Sequence, residues 1–173
     1  MSDLSPSQHD LIQQARALAL RYLAARPRSV AELAQKLGRR FPQGLAGEAV
    51  AQLEREGLLD DSAFARFWAE MRLRTHPRSA ALVRAEIVGK GVSREMADQA
   101  VVGLDDDSTA LRLATHYARR LGQVDYSTFS RKVGPYLARR GFGEAVVRRT
   151  LRHLWAEGQE IHQSAPEPGP NTA

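Results

Sequence analysis

Asp60 and Asp61 are adjacent carboxylates set directly before the stretch "SAFARFWAEMRLR", and Asp105, Asp106 and Asp107 stand before a second such stretch. Two neighbouring carboxylates could ligate a divalent cation or serve as a general base. Either role needs further oxygen or nitrogen ligands converging on them, such as a second acidic pair or a histidine one helical turn away. No such residue follows either cluster. Both clusters instead sit where a helix begins, and there a carboxylate accepts bonds from free backbone N–H groups and complements the helix dipole. A cap of this kind contributes about 0.5 to 2 kcal/mol. Asp60 and Asp61 are therefore read as structural caps.

The remaining candidates for chemistry are sparse. His9, His76, His116, His153 and His162 show no HExxH or other paired spacing. The serines lack a GxSxG elbow, and the glycines form neither GxGxxG nor GxxxxGK[ST], so acyl transfer and nucleotide binding have no support. There are no cysteines, which removes disulfides, thiolate metal sites and a cysteine nucleophile. The sequence is that of a non-enzymatic protein with no metal and no cofactor. It has no run of about 18 apolar residues and no secretory leader pattern, so a soluble, cytoplasmic chain that does not enter membranes is expected.

The elements that would position any site follow from a repeat of about fifty residues, a period that marks stacked supersecondary units. Arg26-Pro27-Arg28-Ser29 recurs as His76-Pro77-Arg78-Ser79, and Leu33, Val83 and Val133 correspond, as do Leu37, Ile87 and Leu137. Beyond the next turn Phe41 matches Val92 and Phe142, then Leu45 matches Met96 and Val146, and Val50 matches Val101 and Leu151. The first unit has one residue fewer at that turn, lacking the glycine that precedes Val92 and Phe142. Spacings such as Leu33 with Leu37 are helical, and the punctuation divides each unit into three helices. Ser29 with Glu32 forms a capping box, residues 38–47 make a turn, and Ser93 starts the last helix of the second unit. In the third unit the first helix runs to about Leu121, and 122–125 and 140–143 are breaks.

The expected fold is all-α: three tandem three-helix repeats, about nine helices, in an elongated array that is straight or curved. The repeats occupy residues 1–59, 60–104 and 105–157, followed by a disordered tail at 158–173 rich in proline and small polar residues.

Charge is unevenly placed along these units. Residues 1–109 hold 15 basic and 15 acidic side chains, whereas 110–155 hold ten basic against two acidic. A block of one sign suits a polyanion, nucleic acid first, or an acidic protein surface. Arg148, Arg149 and Arg152 share one strip of the final helix, opposite Val147, Leu151 and Leu154. Arg119, Arg120, Arg131, Lys132, Arg139 and Arg140 lie near the turns of the same unit. With Arg72, Arg74 and Lys90 of the second unit, these are the candidate contacts to a partner or to DNA. Phosphate contacts of this type give salt-sensitive binding with little sequence preference. Trp155 and Tyr136 are read as packing residues. The alternative is a regulator that reads a duplex sequence with one three-helix unit used as a helix-turn-helix.

Arg26-Pro27-Arg28-Ser29 with Glu32-Leu33, then Gly57-Leu58-Leu59-Asp60-Asp61 with Phe64-Ala65 and Arg72, then Gly89-Lys90-Gly91-Val92, resemble the RecX family of recombination regulators. Order, spacing and threefold repeat agree over residues 12 to 157. The chain departs at the missing glycine of the first unit and at Thr75-His76-Pro77-Arg78-Ser79, where family members often carry a glycine. The resemblance implies a small all-α monomer that binds the bacterial recombinase RecA, lying along the groove of its filament on single-stranded DNA. It further implies contact with single-stranded and duplex DNA, and inhibition of the filament's ATPase, strand-exchange and coprotease activities.

Overall fold

The computed structural model describes residues 6–163, with side chains described over 7–157. Among the described residues it contains nine α-helices and no strand. The first repeat comprises α1 (Pro6–Ala25), α2 (Val30–Gly38) and α3 (Gln43–Arg55); the second α4 (Asp61–Thr75), α5 (Ala80–Gly89) and α6 (Arg94–Val101); the third α7 (Asp106–Ala118), α8 (Tyr126–Ala138) and α9 (Glu144–Gln163). The all-α, tandem three-helix organisation expected from the period is thus present. Residues 158–163, placed with the tail on sequence, continue the backbone of α9, and the disorder expected of 164–173 lies outside the described residues.

Five of the helix starts follow from a side-chain oxygen placed before them. Ser29, Asp60, Ser93, Asp105 and Asp125 are extended N-caps, and each accepts a backbone N–H from the first turn it precedes. Two boundaries differ from the sequence reading. α3 begins at Gln43 rather than after Gly47, because Pro42 fixes an extended entry and Gly44 and Gly47 then fall within the helix. α7 ends at Ala118 rather than near Leu121.

The chain divides into two compact units, one of residues 1–76 with 83–103, the other of residues 77–82 with those from Leu104 onward. In the first unit Leu33, Leu37, Leu53, Phe64, Val83 and Ile87 are fully buried, and Ala15, Ala19, Ala46 and Ala49 line the faces that join α1 to α3 and α2. In the second, Phe129, Val133, Leu137, Phe142 and Leu151 surround Ala110 and Ala114. Truncating one of the buried leucines to alanine would cost about 2 to 5 kcal/mol. The fifty-residue register therefore marks core positions, with one exception. Met96, the counterpart of Leu45 and Val146, is 38% exposed.

Within each unit a repeat is fastened to the next by the acidic pair at the boundary. Asp60 caps its own helix, whereas Asp61 Oδ1 accepts the Val30 N–H at 2.9 Å and so caps α2 of the preceding repeat. Asp105 and Asp106 divide the work in the same way, Asp106 Oδ1 accepting the Ala80 N–H at 2.7 Å at the start of α5. Reciprocal bonds close each seam: Ser29 Oγ donates to the Lys90 carbonyl at 2.6 Å, and the Ser79 N–H donates to the Arg140 carbonyl at 3.0 Å.

The glycine after each of these carbonyls is required by the same approach. Gly91 and Gly141 have φ of +85° and +86°; a Cβ at Gly91 would overlap that of Ala31, and one at Gly141 would lie 2.6 Å from Ser79 Oγ. In the first repeat the corresponding turn bonds only back to its own helix, through the Arg40 and Phe41 N–H groups to the Leu37 carbonyl. With no such docking among the described residues, that turn closes without the glycine.

Candidate nucleic-acid interface

The Ser29 and Glu32 pair makes half of the expected capping box. Ser29 Oγ accepts the Glu32 N–H at 3.1 Å, but the Glu32 carboxylate, instead of returning to the cap, bonds Lys90 Nζ at 2.8 Å and Arg26. Two cations offer stronger, charge-assisted bonds than a neutral amide. Burial pushes the Glu32 carboxyl up, yet the bonds from Arg26 and Lys90 outweigh it and hold the group below its ordinary range. Asp61 goes the other way. Burial raises it, the Val30 N–H only partly opposing this and the Asp60 charge adding to it.

Glu32 belongs to a corner of aromatic and charged side chains that has counterparts in the other repeats. In the second repeat Glu86 Oε2 accepts from Arg72 Nε at 2.6 Å and from Trp68 Nε1 at 3.0 Å. Arg72 and Lys90 also stand over the Trp68 ring, at 4.8 and 4.1 Å from its centroid. The side chains of Arg72 and Lys90 are only 20% and 22% exposed. Both cations are thus matched to carboxylates of their own unit. In the first repeat Tyr22 lies under Arg28 and Lys36. In the third, Tyr117 and Tyr136 stack at 4.3 Å and the Arg140 guanidinium covers Tyr136 at 3.8 Å. The position of Glu86 is there taken by Tyr136, and no carboxylate closes the corner.

The other candidate cations divide into two groups. Arg148 bonds Glu144 at 2.9 Å, Arg74 approaches Glu70 at 3.6 Å, and Arg149 grips Asp107 through both nitrogens at 2.8 and 3.0 Å. All three pairs are well exposed, so water screens them and each contributes about 0 to 1 kcal/mol. They are readily exchanged for a phosphate. Arg119, Arg120, Lys132, Arg139 and Arg152 are exposed and make no ion pair among the described residues, whereas Arg131 reaches Thr128 Oγ1 at 3.5 Å and its charge helps to lower the Asp125 carboxyl. Arg119 and Arg139 occupy the C-caps of α7 and α8, where the helix dipole favours a cation. Lys132, Tyr136 and Arg139 follow one another at helical spacing along α8, so that stripe is basic.

Asp60 and Asp61 converge on backbone N–H groups, and no cluster of three or more metal-ligating side chains occurs among the described residues. No described helix is long and apolar enough to cross a membrane. What the surface offers chemically is a set of unneutralised guanidinium groups concentrated in the third repeat. The roles of Glu86 and Trp68 escaped the sequence, although a carboxylate one residue before the core position Ile87 was a usable signal.

Fold and surface together define an all-α protein of tandem three-helix repeats with a basic third repeat. Residues 15–53 match the RecX first three-helix domain and residues 60–101 the RecX second three-helix domain. The regulatory protein RecX of Streptomyces coelicolor is 32% identical over 163 residues, covering 91% of this chain and 87% of that protein. That of Mycobacterium tuberculosis is 34% identical over 150 residues, covering 82% and 86%. The crystal structure of RecX from Lactobacillus salivarius superposes with a TM-score of 0.74 at 21% identity, over 84% of this chain and 97% of that one. A second RecX crystal structure gives 0.73 at 22%, over 83% and 74%. The chain belongs to the RecX family of regulatory proteins.

Proposed function

We propose that this chain regulates the recombinase RecA by binding its filament on single-stranded DNA, lying in the groove and suppressing ATP hydrolysis, strand exchange and coprotease activity. It catalyses no reaction itself and acts as a cytoplasmic monomer. The observation that carries the reading is the third repeat, whose Arg119, Arg120, Lys132, Arg139 and Arg152 are exposed and make no ion pair among the described residues, in a family of regulators. A groove of a nucleoprotein filament presents phosphates and acidic side chains together, which such a surface complements. Arg148 and Arg149 join it by exchanging weak surface pairs, Arg74 of the second repeat is held as weakly by Glu70, and Arg72 and Lys90 stay tied to Glu86 and Glu32.

Titrating the purified chain into RecA on single-stranded DNA tests this. ATP hydrolysis should fall well before one chain per RecA monomer is reached. Unchanged hydrolysis at equimolar chain would overturn the reading. The sequence-specific helix-turn-helix alternative would place one helix of a three-helix unit in the major groove of a duplex. It predicts one preferred duplex sequence, whereas affinity for any DNA that falls steeply with salt favours the filament reading.

A further inference from the structure

Where the first turn of α8 meets α9, Tyr126, Arg152, Trp155 and Ala156 line an open cleft of about 600 Å³. Tyr126 and Trp155 meet edge to face with centroids 5.3 Å apart, at 68°. Phe129 braces both rings from the core side, 5.7 Å from Trp155 and 6.4 Å from Tyr126. Packing accounts for Phe129, which is buried, but not for Tyr126, which is 43% exposed. Arg152 is one helical turn before Trp155 and Ala156, so this exposed side chain brings a guanidinium to the rim of the cleft it lines. Two carboxylates are adjacent to the lining residues in sequence: Glu157, which lies 3.1 Å from His153 Nε2, and Asp125. Its oxygen accepts the Thr128 N–H at 2.7 Å and is engaged in capping α8.

We infer that this cleft takes an unpaired nucleobase, stacked against Tyr126 and Trp155, with Arg152 holding the neighbouring phosphate. The inference rests on reading the third repeat as facing nucleic acid and adds to it a contact that phosphate attraction alone does not supply. An aromatic face accepts any base, so binding gains strength without gaining sequence preference. The rim charge and the surplus of ten basic over two acidic side chains in residues 110–155 select a polyanionic chain as the occupant.

The test uses the full chain without RecA, a short fluorescent oligothymidylate, and an abasic oligomer of equal length and charge. Anisotropy should show the base-bearing strand bound about tenfold more tightly, the size of one stacked base. Tyr126→Ala should bring the two affinities within about twofold, Arg152→Gln should weaken the base-bearing strand most, and Arg119→Gln should weaken both equally. Circular dichroism melting checks that the exposed Tyr126 can be removed without unfolding. Equal affinity of the unaltered chain for both oligomers would overturn the stacking site while leaving phosphate binding intact. Binding of neither would overturn the nucleic-acid reading and the stacking site with it. Base preference that appears only in a chain ending at Gln163 would assign the cleft to the proline-rich residues 164–173 and overturn the proposal.

Discussion

The second and third repeats build the same corner from the same positions and give it opposite electrical character. In the second, Arg72 and Lys90 flank Trp68 and are matched by Glu86 and Glu32, so the cations are tied into the protein. In the third, Tyr117 and Tyr136 replace Arg72 and Glu86, and Arg140 lies on a ring with no acid beside it. The framework is the same; the third corner lacks both carboxylates of the second and has a tyrosine in place of Arg72. An arginine inside a matched network adds rigidity, and an arginine outside one adds a place for an anion. The second repeat is thus held by its own ion pairs, and the proposed function assigns partner contact to the third.

Removing the acid should break this contrast most severely. Glu86→Ala leaves the partly buried Arg72 and the Trp68 N–H without their acceptor, and should lower stability by about 2 to 3 kcal/mol in urea unfolding. Arg140→Ala, at the same corner of the third repeat, removes a cation over a ring and should cost only about 0.5 to 1 kcal/mol. Similar losses from the two would mean that the corners do not differ as described.

The boundary acid sharpens the comparison, because it is common to both seams. Asp61→Ala leaves the Val30 N–H unmatched and should cost about 1 to 2 kcal/mol, as should Asp106→Ala at Ala80. Asp61→Asn keeps an acceptor and removes a charge that burial penalises, so it should sit within about 0.5 kcal/mol of the unaltered chain.

Acid separates Asp61 from Glu32. The folded pKa of Glu32 is lowered, so its contribution is present above the ordinary value of 4.5 and is lost as pH falls through the folded value. Glu32→Gln should therefore cost about 1 kcal/mol at neutral pH, and the deficit should shrink below that range. The folded pKa of Asp61 is raised above 3.8, so ionising it opposes folding and the penalty disappears as pH falls. Stability measured against pH should show these opposite slopes in the two variants.

The core was legible because burial is periodic. Leu33, Val83 and Val133 announce themselves by composition and spacing, and the capping oxygens announce the helix starts. Asp60 was equally readable, since a cap acts within a few residues of its own position. Asp61 was not: its partner, Val30, is 31 residues away and reaches it only through the packing of one repeat on the next. The same holds for the cations of the second repeat. Sequence grouped Arg72 and Lys90 with those of the third, but their acids are 14 and 58 residues distant. The missing glycine of the first repeat, a departure in sequence, becomes intelligible once Gly91 and Gly141 are seen pressed against the preceding repeat. Tyr126 and Trp155 carried no sequence signal beyond their aromaticity, because α8 and α9 must be packed before the two rings share a cleft.

The central claim is that unmatched cations of the third repeat carry partner binding. It is tested most directly by measuring inhibition of the RecA ATPase, across salt concentrations, with two triple variants. One carries Arg119→Gln, Lys132→Gln and Arg139→Gln; the other carries Arg21→Gln, Arg39→Gln and Arg40→Gln, likewise exposed arginines of the first repeat. The third-repeat triple should raise the concentration needed for half-inhibition by about tenfold or more and flatten its salt dependence, and the first-repeat triple should change it by less than about twofold. Equal weakening by the two triples, or full inhibition by the third-repeat triple, would contradict the account.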